Sequence, residues 1–67
     1  MDGSIGEAAG DVYRFIEISG PVSVAQLRKA TGHKESTVNL ALGWLAREEK
    51  VVREPRGRTV RWDIAKC

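Results

Sequence analysis

Residues 24–49, VAQLRKATGHKESTVNLALGWLAREE, followed by residues 51–64, VVREPRGRTVRWDI, carry a change of hydrophobic period that decides the fold. Val38, Ala41, Leu42 and Leu45 recur at i, i+3, i+4 and i+7, which places them on one face of a helix predicted from about Glu35 to Glu49. Ahead of it, Ser23 and Gln26 have the spacing of a capping box, in which each side chain satisfies an amide of the other's turn, so a short helix starts near Val24. Val24, Leu27 and Ala30 form its inward side, and Gly32 supplies the tight turn into the longer helix. Further on the period falls to two: Val60, Trp62 and Ile64 alternate with Thr59, Arg61 and Asp63, the pattern of a strand with one buried face. Residues 51–54 and 59–64 are read as paired strands joined by Pro55-Arg56-Gly57-Arg58, where proline and glycine mark the turn.

Working outward to the N-terminus, Ile5, Ala8, Ala9, Val12, Phe15, Ile16 and Ser19 keep helical phase. Ser4 is placed to cap this helix, and Gly20-Pro21 ends it because proline cannot continue it. Gly6 and Gly10 lie on the same segment, where glycine costs about 1 kcal/mol relative to alanine, so a close approach of another backbone is expected there, within the fold or across a dimer. Three helices followed by a two- to three-stranded antiparallel wing make an α+β chain, mainly α with small β, in the order of a winged helix-turn-helix. There is no internal repeat, low-complexity tract or linker, so residues 1–67 are read as one such domain.

Sixty-seven residues, 42% of them apolar, are enough for one small core and lie well away from disordered compositions. The single Cys67 excludes an internal disulfide, and no apolar run is long enough to span a membrane, so a reducing, cytoplasmic setting is expected. The net charge of +2 is unevenly spread. Residues 1–20 hold four acids and one base, a balance of −3; residues 21–67 hold ten bases and five acids, a balance of +5. That asymmetry gives one end of the molecule the sign a phosphate backbone needs.

The inventory for catalysis is poor. His33 sits in the turn, far in sequence from Cys67, so no nucleophile and base pair is visible, and Glu48-Glu49 point about 100° apart and cannot flank one bond. No Gly-rich loop or Cys/His cluster is present for a cofactor, metal or small molecule, and His33 reads as a surface turn residue. An enzyme is not expected.

Ala9-Gly10, Val12, Gly20-Pro21, Val24, Leu27, Lys29-Ala30-Thr31-Gly32 and Ala41-Leu42-Gly43-Trp44-Leu45-Ala46-Arg47-Glu48 resemble a group of short bacterial winged helix-turn-helix proteins of unassigned function, over nearly the whole chain. More distantly, Leu27 to Gly32, Ser36-Thr37-Val38-Asn39, Leu42, Leu45 and Val51-Val52-Arg53 look like the same segments of multiple-antibiotic-resistance-type transcription regulators. The first resemblance implies the fold; the second implies duplex DNA, with the third helix in the major groove and a basic wing beside it.

On that expectation Lys34, Ser36, Thr37 and Asn39 lie at the start of the third helix, where amides and short polar side chains meet phosphate and Asn39 pairs with adenine. Arg56 and Arg58 flank Gly57 at the wing tip, placed for backbone or minor-groove contact, and Arg28 and Lys29 add charge from the second helix. Competing with this, the wing arginines serve as a solvated hairpin tip, and Asn39 and its neighbours Ser36 and Thr37 serve helix capping and face solvent.

Two departures from the regulator pattern cut across the DNA reading. Leu40 and Trp44 stand where such regulators place basic residues, about 110 to 150° from the buried stripe, and Gly43 replaces a polar one. Arg28 replaces a common alanine and must lean outward from the helix crossing. Three readings of Leu40 and Trp44 follow: Trp44 packs under the wing against Trp62, the pair forms a homodimer or partner interface, or Trp44 stacks on a base.

Overall fold

A computed structural model of the chain describes residues 3–65, and side chains from residue 6 onward. Helix α1 (Gly3–Ser19) buries Ala8, Ala9, Val12 and Ile16, and Phe15 packs against that core. Ser19, expected on the same face, is exposed, because it closes the helix where the chain turns away. The stop is made by Gly20, whose φ of 84° is left-handed and whose amide donates to Ile16 O at 2.8 Å. The helix already includes Gly3, so Ser4 lies inside it and not before it. The capping side chain of Ser4, the apolar side chain of Ile5, and Asp2 and Cys67 lie outside what is described.

Helix α2 (Val24–Thr31) starts as its capping box dictates. Gln26 N donates to Ser23 Oγ at 3.2 Å, and Ser23 N donates to Gln26 Oε1 at 2.9 Å. Leu27 is fully buried and Val24 packs against the core, but Ala30 is exposed. With only two turns to bury, the helix sinks one side chain completely, and Ala30 falls at its open edge beside Phe15 and Ile18. Gly32, at φ 78°, ends the helix by donating to Arg28 O at 2.9 Å.

Helix α3 (Glu35–Arg47) is unbroken and sinks Val38, Ala41, Leu42 and Leu45, the expected stripe. It stops two residues earlier than its period implied. Lys50 N donates to Leu45 O at 2.9 Å and Glu49 N to Ala46 O at 3.0 Å, which is a Schellman closure with Glu49 in its left-handed position, φ 61°. A glycine is the usual occupant there, and a side chain at positive φ costs about 1 kcal/mol or more.

Strands β1 (Val51–Arg56) and β2 (Thr59–Ile64) form an antiparallel hairpin pairing Val51 with Ile64 and Arg56 with Thr59. The expected four-residue connection is therefore only Gly57-Arg58, with Pro55 inside β1. Gly57 at φ 58° followed by an ordinary residue suits a type II′ turn, whose twist matches the strands. Pro55 is tolerated for a reason that the register makes explicit. Trp62 exchanges both backbone bonds with Val22, at 3.0 and 2.7 Å, so its pairing with Arg53 on the other side lacks ladder bonds. Two residues along, the Pro55–Val60 pair is of the same kind, and the missing amide points away from β2.

The wing closes onto the helices through Val22, Val51, Trp62 and Ile64, which join the core built by α1, α2 and α3. Among the described residues no polar side chain is buried. The position of the core leaves the outer side of α3 uncovered by the sheet.

Candidate nucleic-acid interface

The capping box and Gly32 set α2 across the start of α3, and this crossing brings Arg28, Lys29 and Lys34 together around one open concavity with Ala25, Gly32 and His33. Arg28 does lean outward: its Nη1 lies 3.9 Å from Glu35 Oε1, with both side chains largely in solvent. Lys34 occupies the N-cap of α3 in extended conformation and offers no acceptor, and among the described residues no side chain accepts from the first-turn amides of α3. The reading of Ser36 and Thr37 as caps is thereby corrected, since the cap position precedes both. Ser36 is exposed, Thr37 half-buried and Asn39 exposed, all on the first turns of the helix.

His33 was expected as a surface turn residue. Instead it is half-buried, and its Nε2 lies 3.0 Å from Asp11 Oδ2 on α1. Sequence reasoning had no local signal for this pair, because its members are 22 residues apart. Thr31 supports the same turn, donating to Leu27 O at 2.7 Å and accepting from His33 N at 3.3 Å.

Along α3, Asn39 shares a second shallow depression with Leu40, Gly43, Trp44 and Arg47. Leu40 is 58% exposed and Trp44 46%, so the outer face is apolar, as its angular position implied. Trp44 does not pack under the wing. It borders α1 instead, in a groove with Gly6, Gly10 and Tyr13, because its angle on α3 tips it toward α1 and away from the sheet. Arg47, which sequence reasoning passed over, stands beside this face.

At the wing, Arg56 ends β1 and Arg58 sits in the turn, both exposed. Arg56 Nη2 lies 3.9 Å from Glu54 Oε1, and Thr59 Oγ1 donates to Arg56 O at 3.0 Å, which braces the tip. The candidate site is thus two basic clusters, one at the α2–α3 turn and one at the wing tip, with the polar and apolar surface of α3 as a third element. Among the described residues no group of acids, histidines and cysteines has the arrangement of a metal site, and no helix is long and apolar enough to cross a membrane.

Three helices with the second and third crossing at a glycine turn, closed by a hairpin beside an outward-facing third helix, define a winged helix-turn-helix domain of α+β type. The chain belongs to the family described as winged helix-turn-helix domain (DUF2582), which matches residues 1–61. An uncharacterized protein of the archaeon Methanocaldococcus jannaschii is 43% identical over 54 residues, 76% of each chain. The solution structure of a Bacteroides thetaiotaomicron protein is 31% identical, with a TM-score of 0.86, covering 96% of this chain and 79% of that one. The Zalpha domain of Carassius auratus PKZ, in a crystal structure with Z-DNA, is 25% identical with a TM-score of 0.79, covering 90% of this chain and 95% of its own.

Proposed function

We propose that this chain is a duplex-DNA-binding module of the transcription-regulator kind, held to the phosphate backbone by Arg28, Lys29, Lys34, Arg56 and Arg58. The observation that carries the reading is the convergence of Arg28, Lys29 and Lys34 beside an α3 N-terminus without a side-chain cap. Three cations next to free amides at the positive end of a helix dipole present donors and field of the sign a phosphate requires. The likeness to a Zalpha domain bound to Z-DNA supports a nucleic-acid use of the same frame.

Base reading falls to Ser36, Thr37 and Asn39, with Asn39 matched to adenine N6 and N7. It is narrow, because the next outward positions on α3 are Leu40, Gly43 and Trp44, which offer no side-chain hydrogen bond to a base edge other than the Trp44 indole N–H. Backbone contacts therefore dominate, and affinity depends more on duplex shape and salt than on sequence.

Titration of right-handed and left-handed duplexes across a range of salt tests this. With about five phosphates neutralised, log K falls against log salt with a slope near −4.5. No binding of either duplex at low salt overturns the proposal, and a preference between the two assigns the duplex form.

A further inference from the structure

The surface formed by the N-terminal half of α1 and the outer face of α3 has a feature that the DNA reading leaves unused. Trp44 stands as a ridge, 46% exposed, with a groove on its α1 side lined by Gly6, Gly10, Tyr13 and Lys50. A Cβ added at Gly6 or Gly10 would meet nothing within 4 Å, so neither glycine is needed for packing inside the fold. The close approach expected at these positions is not made by this chain to itself.

From the geometry we infer that this face is the interface of a two-fold homodimer, in which Trp44 of each copy fills the glycine-lined groove of the other. An isologous contact requires one patch to carry both halves of every match. This patch does so in shape and in charge. The ridge and the hollow lie side by side, so rotation about an axis running between them sets ridge on hollow twice. The same rotation lays one lateral edge of the patch over the other. The α3 edge carries Arg47, with Lys50 at the groove end; the exposed outer side of α1 carries Glu7, followed about two turns on, seven residues later, by Arg14. Arg47 of one copy thereby meets Glu7 of the other, a pairing of opposite sign at the rim around an aromatic anchor, the usual anatomy of a specific contact. Leu40, 58% exposed, extends the apolar centre along α3.

The free surface of Gly10 gives the test its discrimination. Sedimentation equilibrium of the full chain from about 10 μM to about 1 mM, without DNA, is expected to show a monomer–dimer equilibrium. Gly10→Gln has room in the monomer and fills the groove, so it weakens dimerisation by about tenfold or more while the helical circular dichroism is kept. Trp44→Ala does the same, and Glu7→Arg weakens the dimer until it is combined with Arg47→Glu, which restores it. A wild-type chain that stays monomeric to 1 mM overturns the inference, as does a dimer indifferent to Gly10→Gln. A monomer whose Gly10→Gln variant loses duplex affinity overturns it as well and assigns the groove to DNA.

Discussion

His33 Nε2 and Asp11 Oδ2, 3.0 Å apart, tie the middle of α1 to the turn that orients α3. The bond joins α1 to the turn just before the helix that carries Asn39 and Leu40, and its two members come from opposite halves of the charge asymmetry. Because Asp11 is 58% exposed, solvent screens the pair and its worth is small. Asp11→Ala is expected to lower stability by about 0.5–1 kcal/mol, a few degrees in Tm for a domain of this size, read by thermal circular dichroism. An unchanged midpoint would show the contact to be incidental.

Glu49 occupies the left-handed residue of a helix closure that glycine fills without strain. Glu49→Gly should stabilise the chain by about 1 kcal/mol in urea unfolding with the slope unchanged. A destabilised variant would mean that the Glu49 side chain makes a favourable interaction outweighing its backbone.

Leu42, 1% exposed, is the central member of the α3 stripe. Leu42→Ala leaves a cavity in the core and is expected to remove about 2–5 kcal/mol, a large share of what a domain this small possesses. Loss of the cooperative transition, or its shift to much lower denaturant, checks this; a shift below about 1 kcal/mol contradicts the assigned core.

Ser23→Ala removes the Oγ that accepts from Gln26 N at the start of α2 and leaves the residue-23 amide still able to donate to Gln26 Oε1. The expected loss is about 1 kcal/mol, with local amide exchange at Val24 to Gln26 rising before the global transition. Equal exchange in the two proteins would remove the capping role.

For the proposed DNA contact, Arg58→Ala should lower affinity by a similar factor for every duplex and reduce the salt slope by about 0.9, since one phosphate contact is lost. Asn39→Ala should instead act unequally across sequences, by about 1–3 kcal/mol on those that place adenine at its contact. A salt slope untouched by Arg58→Ala would place the wing tip away from the backbone.

Local patterns in the sequence were enough for most of the frame. The Ser23/Gln26 spacing located the start of α2, the Val38 to Leu45 stripe located the buried side of α3, and Gly32 marked the turn, because each depends on residues within one or two turns. What stayed hidden depends on distance. The His33–Asp11 bond joins residues far apart in the chain, and the side on which Trp44 rests was decided by where α1 crosses α3, which no periodicity encodes. Ala30 and Ser19 were misplaced because an angular pattern says which side a residue is on and not how far the neighbouring element extends. The hairpin was judged too loose because Pro55 reads as a breaker until the direction of its ring nitrogen is known.

That direction also limits how the molecule can associate. With a proline ring in place of a donor partway along its free flank, β1 offers an incomplete template, and a strand from another molecule would find a gap in its bonding just before the tip. Growth by adding strands, the usual route from small β-containing proteins to fibrils, is thus hindered along β1, and on the outer side of β2 the Val22 bridge already takes the bonds of Trp62.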